Sequence, residues 1–296
     1  MTRALRHLAL ALLGCLGAAC GGKPSPLPPT PTPTPPTAAP VRVVIVSIDG
    51  LRADAVQQVN PTNLSALARK GASTWKAQTI TPSNTLPSHI SMLSGYPPSR
   101  HGVTWDDYLP ANGVIRVPMV FIAARGAGRR TALVAGKEKF NTLRDTREMD
   151  VFVGGTRADA DVAEQAVAQL FAGVDLLFVH LPDVDLSGHA SSWMSAAYRD
   201  NVARADAALG RIMAALPENT TLIVTADHGG HGTGHGTTDP LDMTIPWVIA
   251  GPRIRQDYAI TAAVSTMDTA ATAAFLLGLT LPADVGGKPV LEAFAR

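Results

Sequence analysis

Five short runs of the chain, at residues 41–48, 131–135, 174–181, 221–225 and 245–250, are almost continuously apolar instead of alternating with polar side chains. A strand with that pattern has no face to offer water, so it belongs inside a parallel sheet covered on both sides. Segments with helical spacing lie between the runs, at 63–70, 118–125, 159–171, 195–216 and 266–277. Strand and helix in alternation predict an α/β fold: a three-layer sandwich with a mostly parallel central sheet flanked by helices. No period of roughly 20–50 residues recurs, which excludes solenoids and propellers.

In such a sheet, ligands gather just past the carboxyl ends of the strands. The run ending in Ser47-Ile48 delivers Asp49, the run ending in His180-Leu181 leads to Asp183 and Asp185, and Thr225-Ala226 is followed by Asp227-His228. Carboxylates crowded onto one rim repel one another, and either raised pKa values or bound cations relieve the repulsion. Nearby histidines favour cations. His189 follows Asp185 by four residues, His228 adjoins Asp227, and His235 stands in a glycine-rich loop, with His231 as its alternative. Imidazole and carboxylate donors suit zinc, and a more oxygen-rich shell would also suit manganese. Asp49, Asp185, His189, Asp227, His228 and His235 together are enough for two divalent ions. Thiolate ligands are excluded, because both cysteines, Cys15 and Cys20, fall in the first twenty residues.

Residues 79–103 contain Asn84-Thr85-Leu86-Pro87-Ser88-His89 ahead of an apolar helical pattern. A hydroxyl at a helix start gains from the backbone donors and dipole there, and coordination to a cation would make it a competent nucleophile. Thr85 is therefore the candidate nucleophile and a further metal ligand; a plain helix cap is the other reading. Asn84, Lys137 and Lys139 are candidates to bind phosphate oxygens, the lysines following the run at 131–135. Asp54 and Asp183 are expected to orient histidines, and His89, His101 and His180 to satisfy core or turn hydrogen bonds.

The N-terminus reads differently. Arg3 and Arg6 precede a twelve-residue apolar run, too short for a permanent membrane span, so 1–19 is expected to be a signal peptide. Gly17-Ala18-Ala19-Cys20 is similar to a bacterial lipoprotein cleavage site, which makes Cys20 the expected lipidation site and Cys15 the alternative. Residues 20–40, rich in Pro and Thr, would form an extended tether, leaving 41–296 as the catalytic domain. The domain would then be exported and lipid-anchored to a membrane of the bacterial envelope, at the periplasm or the cell surface. With 25 basic and 24 acidic residues the chain carries a net charge of +1, so no basic footprint marks it for nucleic acid.

Taken in order, Ser47-Ile48-Asp49-Gly50-Leu51-Arg52-Ala53-Asp54, Asp185-Leu186-Ser187-Gly188-His189 and Thr225-Ala226-Asp227-His228-Gly229 resemble the metal-binding motifs of the alkaline phosphatase superfamily, in its type I phosphodiesterase/nucleotide pyrophosphatase branch. The resemblance extends from Val41 to about Arg253. It implies an alkaline-phosphatase-like sandwich in which Asp49, Asp227 and His228 hold one metal ion and Asp185, His189 and His235 the other. It also implies that Thr85 attacks phosphorus and forms a phospho-threonine intermediate. The substrate would be a small phosphate ester, carrying a phosphodiester or pyrophosphate bond. Phosphomonoester hydrolysis at the same site is the alternative, and a non-catalytic, metal-stabilised envelope protein the remote one. A threonine at the nucleophile position, where sulfatases need cysteine or serine, argues against a sulfatase.

Overall fold

The computed structural model describes residues 41–145 and 147–295; the expected signal peptide, lipidation site and tether lie outside them. Eight strands form one sheet: β1 (Arg42–Ile48), β2 (Ala72–Gln78), β3 (Thr131–Ala135), β4 (Val151–Val153), β5 (Leu176–Leu181), β6 (Thr220–Thr225), β7 (Thr244–Ala250) and β8 (Tyr258–Ala259). Their order across the sheet is β4-β3-β5-β1-β6-β7-β2-β8. All run in one direction except β7, which is antiparallel to both β6 and β2. The expected mostly parallel sheet is therefore present, with β7 reversed inside it.

Among the described residues the helices are α1 (Ala53–Val59), α2 (Thr62–Lys70), α3 (Thr85–Ser94), α4 (Pro98–His101), α5 (Val120–Gly126), α6 (Asp159–Phe171), α7 (Asp183–Ser191), α8 (Ala196–Ala214), α9 (Pro240–Met243) and α10 (Asp268–Leu277). Helices α1, α2 and α6 pack against α8 as one layer, while α3, α5 and α10 pack together as the other. The three layers are those expected from the sequence. None of the described helices is long and apolar enough to cross a membrane.

The centre of the sheet explains why a charged site can form at its rim. β5 and β6 are buried along their whole length, and Val43 to Val46 of β1 are at most 1% exposed. Each fully buried Val, Leu or Ile contributes roughly 1.5–3 kcal/mol relative to exposure. Such strands tolerate the opposing cost of placing carboxylates just beyond their ends. Gly50 makes the turn out of β1 at φ +70°, a conformation that disfavours side chains, and a Cβ there would lie 2.9 Å from the Cα of Asp185. Only glycine lets the end of β1 approach α7 so closely.

Candidate active site

Three elements bring the expected metal ligands together. Asp49 follows β1, Asp185 and His189 stand one turn apart on α7, and Asp227 and His228 follow β6. His235 comes in from the glycine-rich loop ahead of α9. Its Nε2 lies 3.2 Å from Nε2 of His189 and 3.6 Å from Oδ1 of Asp185. His228 Nε2 is 3.4 Å from Asp49 Oδ1 and 3.2 Å from Asp227 Oδ2. His231, the alternative to His235, is turned away, its Nδ1 2.7 Å from Oδ1 of Asp242.

The tautomers are set by the backbone. His228 Nδ1 donates to the carbonyl of Gly229 at 2.7 Å, His189 Nδ1 to that of Thr233 at 2.9 Å and His235 Nδ1 to that of Ser83 at 3.0 Å. Each ring is thereby pinned with Nε2 facing the cluster, the arrangement a histidine needs in order to coordinate a metal. Three buried carboxylate oxygens at the same place, Asp49 Oδ1, Asp185 Oδ1 and Asp227 Oδ2, have no hydrogen-bond partner. Buried polar atoms are rarely left so, and their convergence with inward-facing imidazoles fits divalent cations. Ligand atoms of Asp185, His189 and His235 form one group compact enough for an ion, and those of Asp49, Asp185 and His228 another.

Charge in the cluster is finely distributed. Burial works against ionisation of Asp49, yet the Lys137 ammonium, followed by His180 and His228, holds its carboxyl well below the ordinary range. Burial pushes the Asp227 carboxyl well above its ordinary value, and the charge on Asp49 adds to that. Burial opposes the His228 imidazolium, but Asp227, Asp49 and Asp185 outweigh it and push its pKa up to about 10. A divalent cation would replace the proton as the charge these carboxylates require.

Thr85 opens α3 and is fully buried, with its hydroxyl 3.2 Å from Nε2 of His228. Asn84 caps the helix only with its backbone; its carboxamide makes no capping bond and instead abuts Gly236, where a Cβ would meet Oδ1 at 2.4 Å. Lys137 is nearly buried, with its ammonium 2.7 Å from Asp49 Oδ2 and also bonded to Asp185. Lys139 is paired at 2.7 Å with Oδ2 of Asp106. Both lysines line a cleft of about 720 Å³ that Tyr108, Asp185 and His189 also border. At this cleft the His189 side chain is 44% exposed, whereas Asp49, Asp227 and His228 are fully buried.

Several supporting residues stand elsewhere than expected. Asp54 pairs with Arg52, and the Asp183 carboxylate accepts from the backbone amide of Asp159 while that of Asp159 accepts from the amide of Asp183, so neither carboxylate is bonded to a histidine. His89 and His101 satisfy local hydrogen bonds, to Thr85, Ser47 and Ser91. His180 does more than fill the core. Its Nδ1 accepts from the amide of Gly136, so Nε2 carries the proton and donates to Asp49 Oδ2 at 2.7 Å. A histidine inside an apolar strand must find a partner, and that requirement was the signal available in the sequence. Because outer hydrogen bonds fix ligand carboxylates, His180→Ala is expected to weaken zinc binding about 10- to 100-fold, measured by competition with a chromogenic chelator. Unchanged affinity would show that Asp49 does not depend on His180.

The family model for type I phosphodiesterase/nucleotide pyrophosphatase matches residues 43–120 and 129–245, more than half of the chain. Among curated relatives, phosphopentomutase of Clostridium botulinum is 27% identical over 172 residues, 55% of this chain and 43% of that protein. Human ectonucleotide pyrophosphatase/phosphodiesterase family member 7 is 24% identical over 222 residues, 64% of this chain and 47% of that protein. The chain thus spans less than half the length of these two relatives. Among solved structures, murine ectonucleotide pyrophosphatase/phosphodiesterase 5, an inactive variant in complex with AMP, superposes with a TM-score of 0.76 at 14% identity, covering 86% of this chain and all of that one. A 2-O glycosaminoglycan sulfatase superposes with a TM-score of 0.71 at 17% identity, covering 86% of this chain and 74% of that one. The fold is shared with both enzyme types, and the matched family model assigns the chain to the type I phosphodiesterase/nucleotide pyrophosphatase family of the alkaline phosphatase superfamily.

Proposed function

We propose that this chain is a two-metal hydrolase of phosphate esters, acting on phosphodiester or pyrophosphate bonds through a phospho-threonine intermediate. The observation that carries the reading is the Thr85 hydroxyl, buried at the start of α3 and 3.2 Å from His228 Nε2, beside carboxylate oxygens that lack partners. Two divalent ions, zinc by the mixture of imidazole and carboxylate donors, or manganese, would stabilise charge on the attacking and departing oxygens. Asp49, Asp227, His228 and Thr85 would hold one ion and Asp185, His189 and His235 the other.

The side chains account for the remaining chemistry. Thr85 Oγ1 would give up its proton to solvent water and attack phosphorus; the bond from phosphorus to the leaving oxygen breaks, and that oxygen takes a proton from solvent. Water, admitted beside the partly exposed His189, would then attack phosphorus and lose a proton to solvent; the P–Oγ1 bond breaks, Oγ1 takes up a proton to restore the hydroxyl, and the phosphate product leaves. The Asn84 carboxamide, free of any capping bond, would donate to a phosphoryl oxygen in this reading. Lys137 and Lys139 line the cleft, each ion-paired with carboxylates: Lys137 with Asp49 and Asp185, Lys139 with Asp106. The murine protein of like fold is inactive as a threonine-to-alanine variant, captured with AMP, so a threonine is essential in that protein.

The same two lysines carry the second reading, phosphomonoester hydrolysis: a dianion would profit from these cations where it displaced their carboxylate partners. Initial rates of the zinc-loaded protein on bis-p-nitrophenyl phosphate and p-nitrophenyl phosphate separate the two. The diester is expected to be the better substrate by kcat/KM, and a strong preference for the monoester would reverse the assignment. We further propose that 1–40 exports the domain and tethers it to an envelope membrane through lipidated Cys20.

A further inference from the structure

Asp106 belongs to none of the motifs, yet its carboxylate ties two parts of the site together. Oδ1 accepts from the backbone amide of Leu86, the residue after Thr85, at 2.6 Å. Oδ2 accepts from the ammonium of Lys139 at 2.7 Å. The first contact takes up a donor at the helix end, where phosphoryl oxygens would otherwise be received. The second neutralises a cation that lines the cleft. Lys137, the other lysine there, is engaged by Asp49 and Asp185.

We infer that Asp106 is a specificity-determining residue that biases the site toward singly charged phosphodiesters and against doubly charged terminal phosphates. The inference rests on the hydrolase reading above and deepens it. A diester brings one negative charge. A monoester brings a second, which needs an unpaired donor, and Asp106 occupies both the Leu86 amide and Lys139. A carboxylate bonded to the amide of the residue after the attacking threonine would also repel that second charge.

Asp106→Asn is the informative substitution, because the carboxamide oxygen can still accept from the Leu86 amide while the charge that pairs Lys139 is gone. Two quantities are read on the zinc-loaded protein: the ratio of monoester to diester kcat/KM, and the dissociation constant of inorganic phosphate at pH 8 by calorimetry. In D106N the ratio is expected to rise about tenfold or more, and phosphate to bind about tenfold tighter. Adding Lys139→Met to D106N is expected to reverse both gains, which a purely structural role for Asp106 would not produce. Lys139→Met alone leaves the carboxylate unpaired and is expected to weaken phosphate binding. D106N with an unchanged ratio and unchanged phosphate affinity, in a protein that melts like the parent, would overturn the inference. If the parent cleaves neither ester, the hydrolase reading fails on its own, while phosphate affinity still tests the role of Asp106.

Discussion

Alanine in place of Thr85 is expected to lower kcat on a phosphodiester by about 10,000-fold or more, the scale of loss when a nucleophile is removed from a catalytic unit. Stability should change little. The side chain is small, and the described hydrogen bond of its hydroxyl is to His228 Nε2 at 3.2 Å. The imidazoles and carboxylates around it stay in place, so zinc content by mass spectrometry of the purified variant should match the parent. The paired outcome separates chemistry from scaffolding. A helix cap without catalytic duty would give near-parental turnover, and that result would remove Thr85 from the mechanism.

Chelation should be as severe and should act on the fold as well. Exhaustive dialysis against a chelator is expected to abolish turnover and to lower Tm, with both restored by added zinc. Asp49, Asp185 and Asp227 are at most 1% exposed, so their mutual repulsion is poorly screened. A ligand present at a thousand times its dissociation constant adds about 4 kcal/mol. For a domain of this size that corresponds to a Tm rise on the order of 10 °C. The pH dependence has a definite sign. Burial and the charge on Asp49 hold the Asp227 carboxyl protonated above its ordinary range, and neighbouring carboxylates carry the His228 pKa up to about 10. Both groups must lose their protons to bind a cation, so zinc affinity should rise with pH, by up to about tenfold per unit for each proton released. Calorimetric titrations with zinc from pH 6 to 8 would measure it; affinity independent of pH would contradict this charge distribution.

What could be read from the sequence follows from burial. β1, β5 and β6 lie at the centre of the sheet and need apolar side chains on both faces, which made them visible as continuous runs. β2, with sequence Ala-Ser-Thr-Trp-Lys-Ala-Gln, lies near the sheet edge, where Lys76 and Gln78 are exposed, and its pattern is too mixed to mark a strand. β4 and β8, of three and two residues, are too short to leave any pattern. β7 was legible as a strand but its direction was not, because reversal depends on the loop and short α9 that return the chain to the same rim. α7 escaped notice as a helix because the face carrying Asp185 and His189 is selected for ligand chemistry and not for apolar packing.

Asp49, Asp185, His189, Asp227 and His228 stood out in the sequence as candidates because each follows an apolar run or repeats at helical spacing, whereas His235, in a glycine-rich loop, had His231 as a rival. Asp106 was not: it acts through Leu86 and Lys139, respectively 20 and 33 residues away in the chain, and no local pattern encodes that meeting. Lys137 shows the opposite limit. Its position after β3 was evident, whereas its ion pairs with Asp49 and Asp185 depend on how β1, β3 and α7 converge.

The most direct test of the account is a crystal structure of the zinc-loaded protein with anomalous data collected at the zinc edge. Two peaks are expected, one among Asp49, Asp227, His228 and the Thr85 hydroxyl, the other among Asp185, His189 and His235. A map with no peak at these residues, or with zinc bound only elsewhere on the chain, would contradict it.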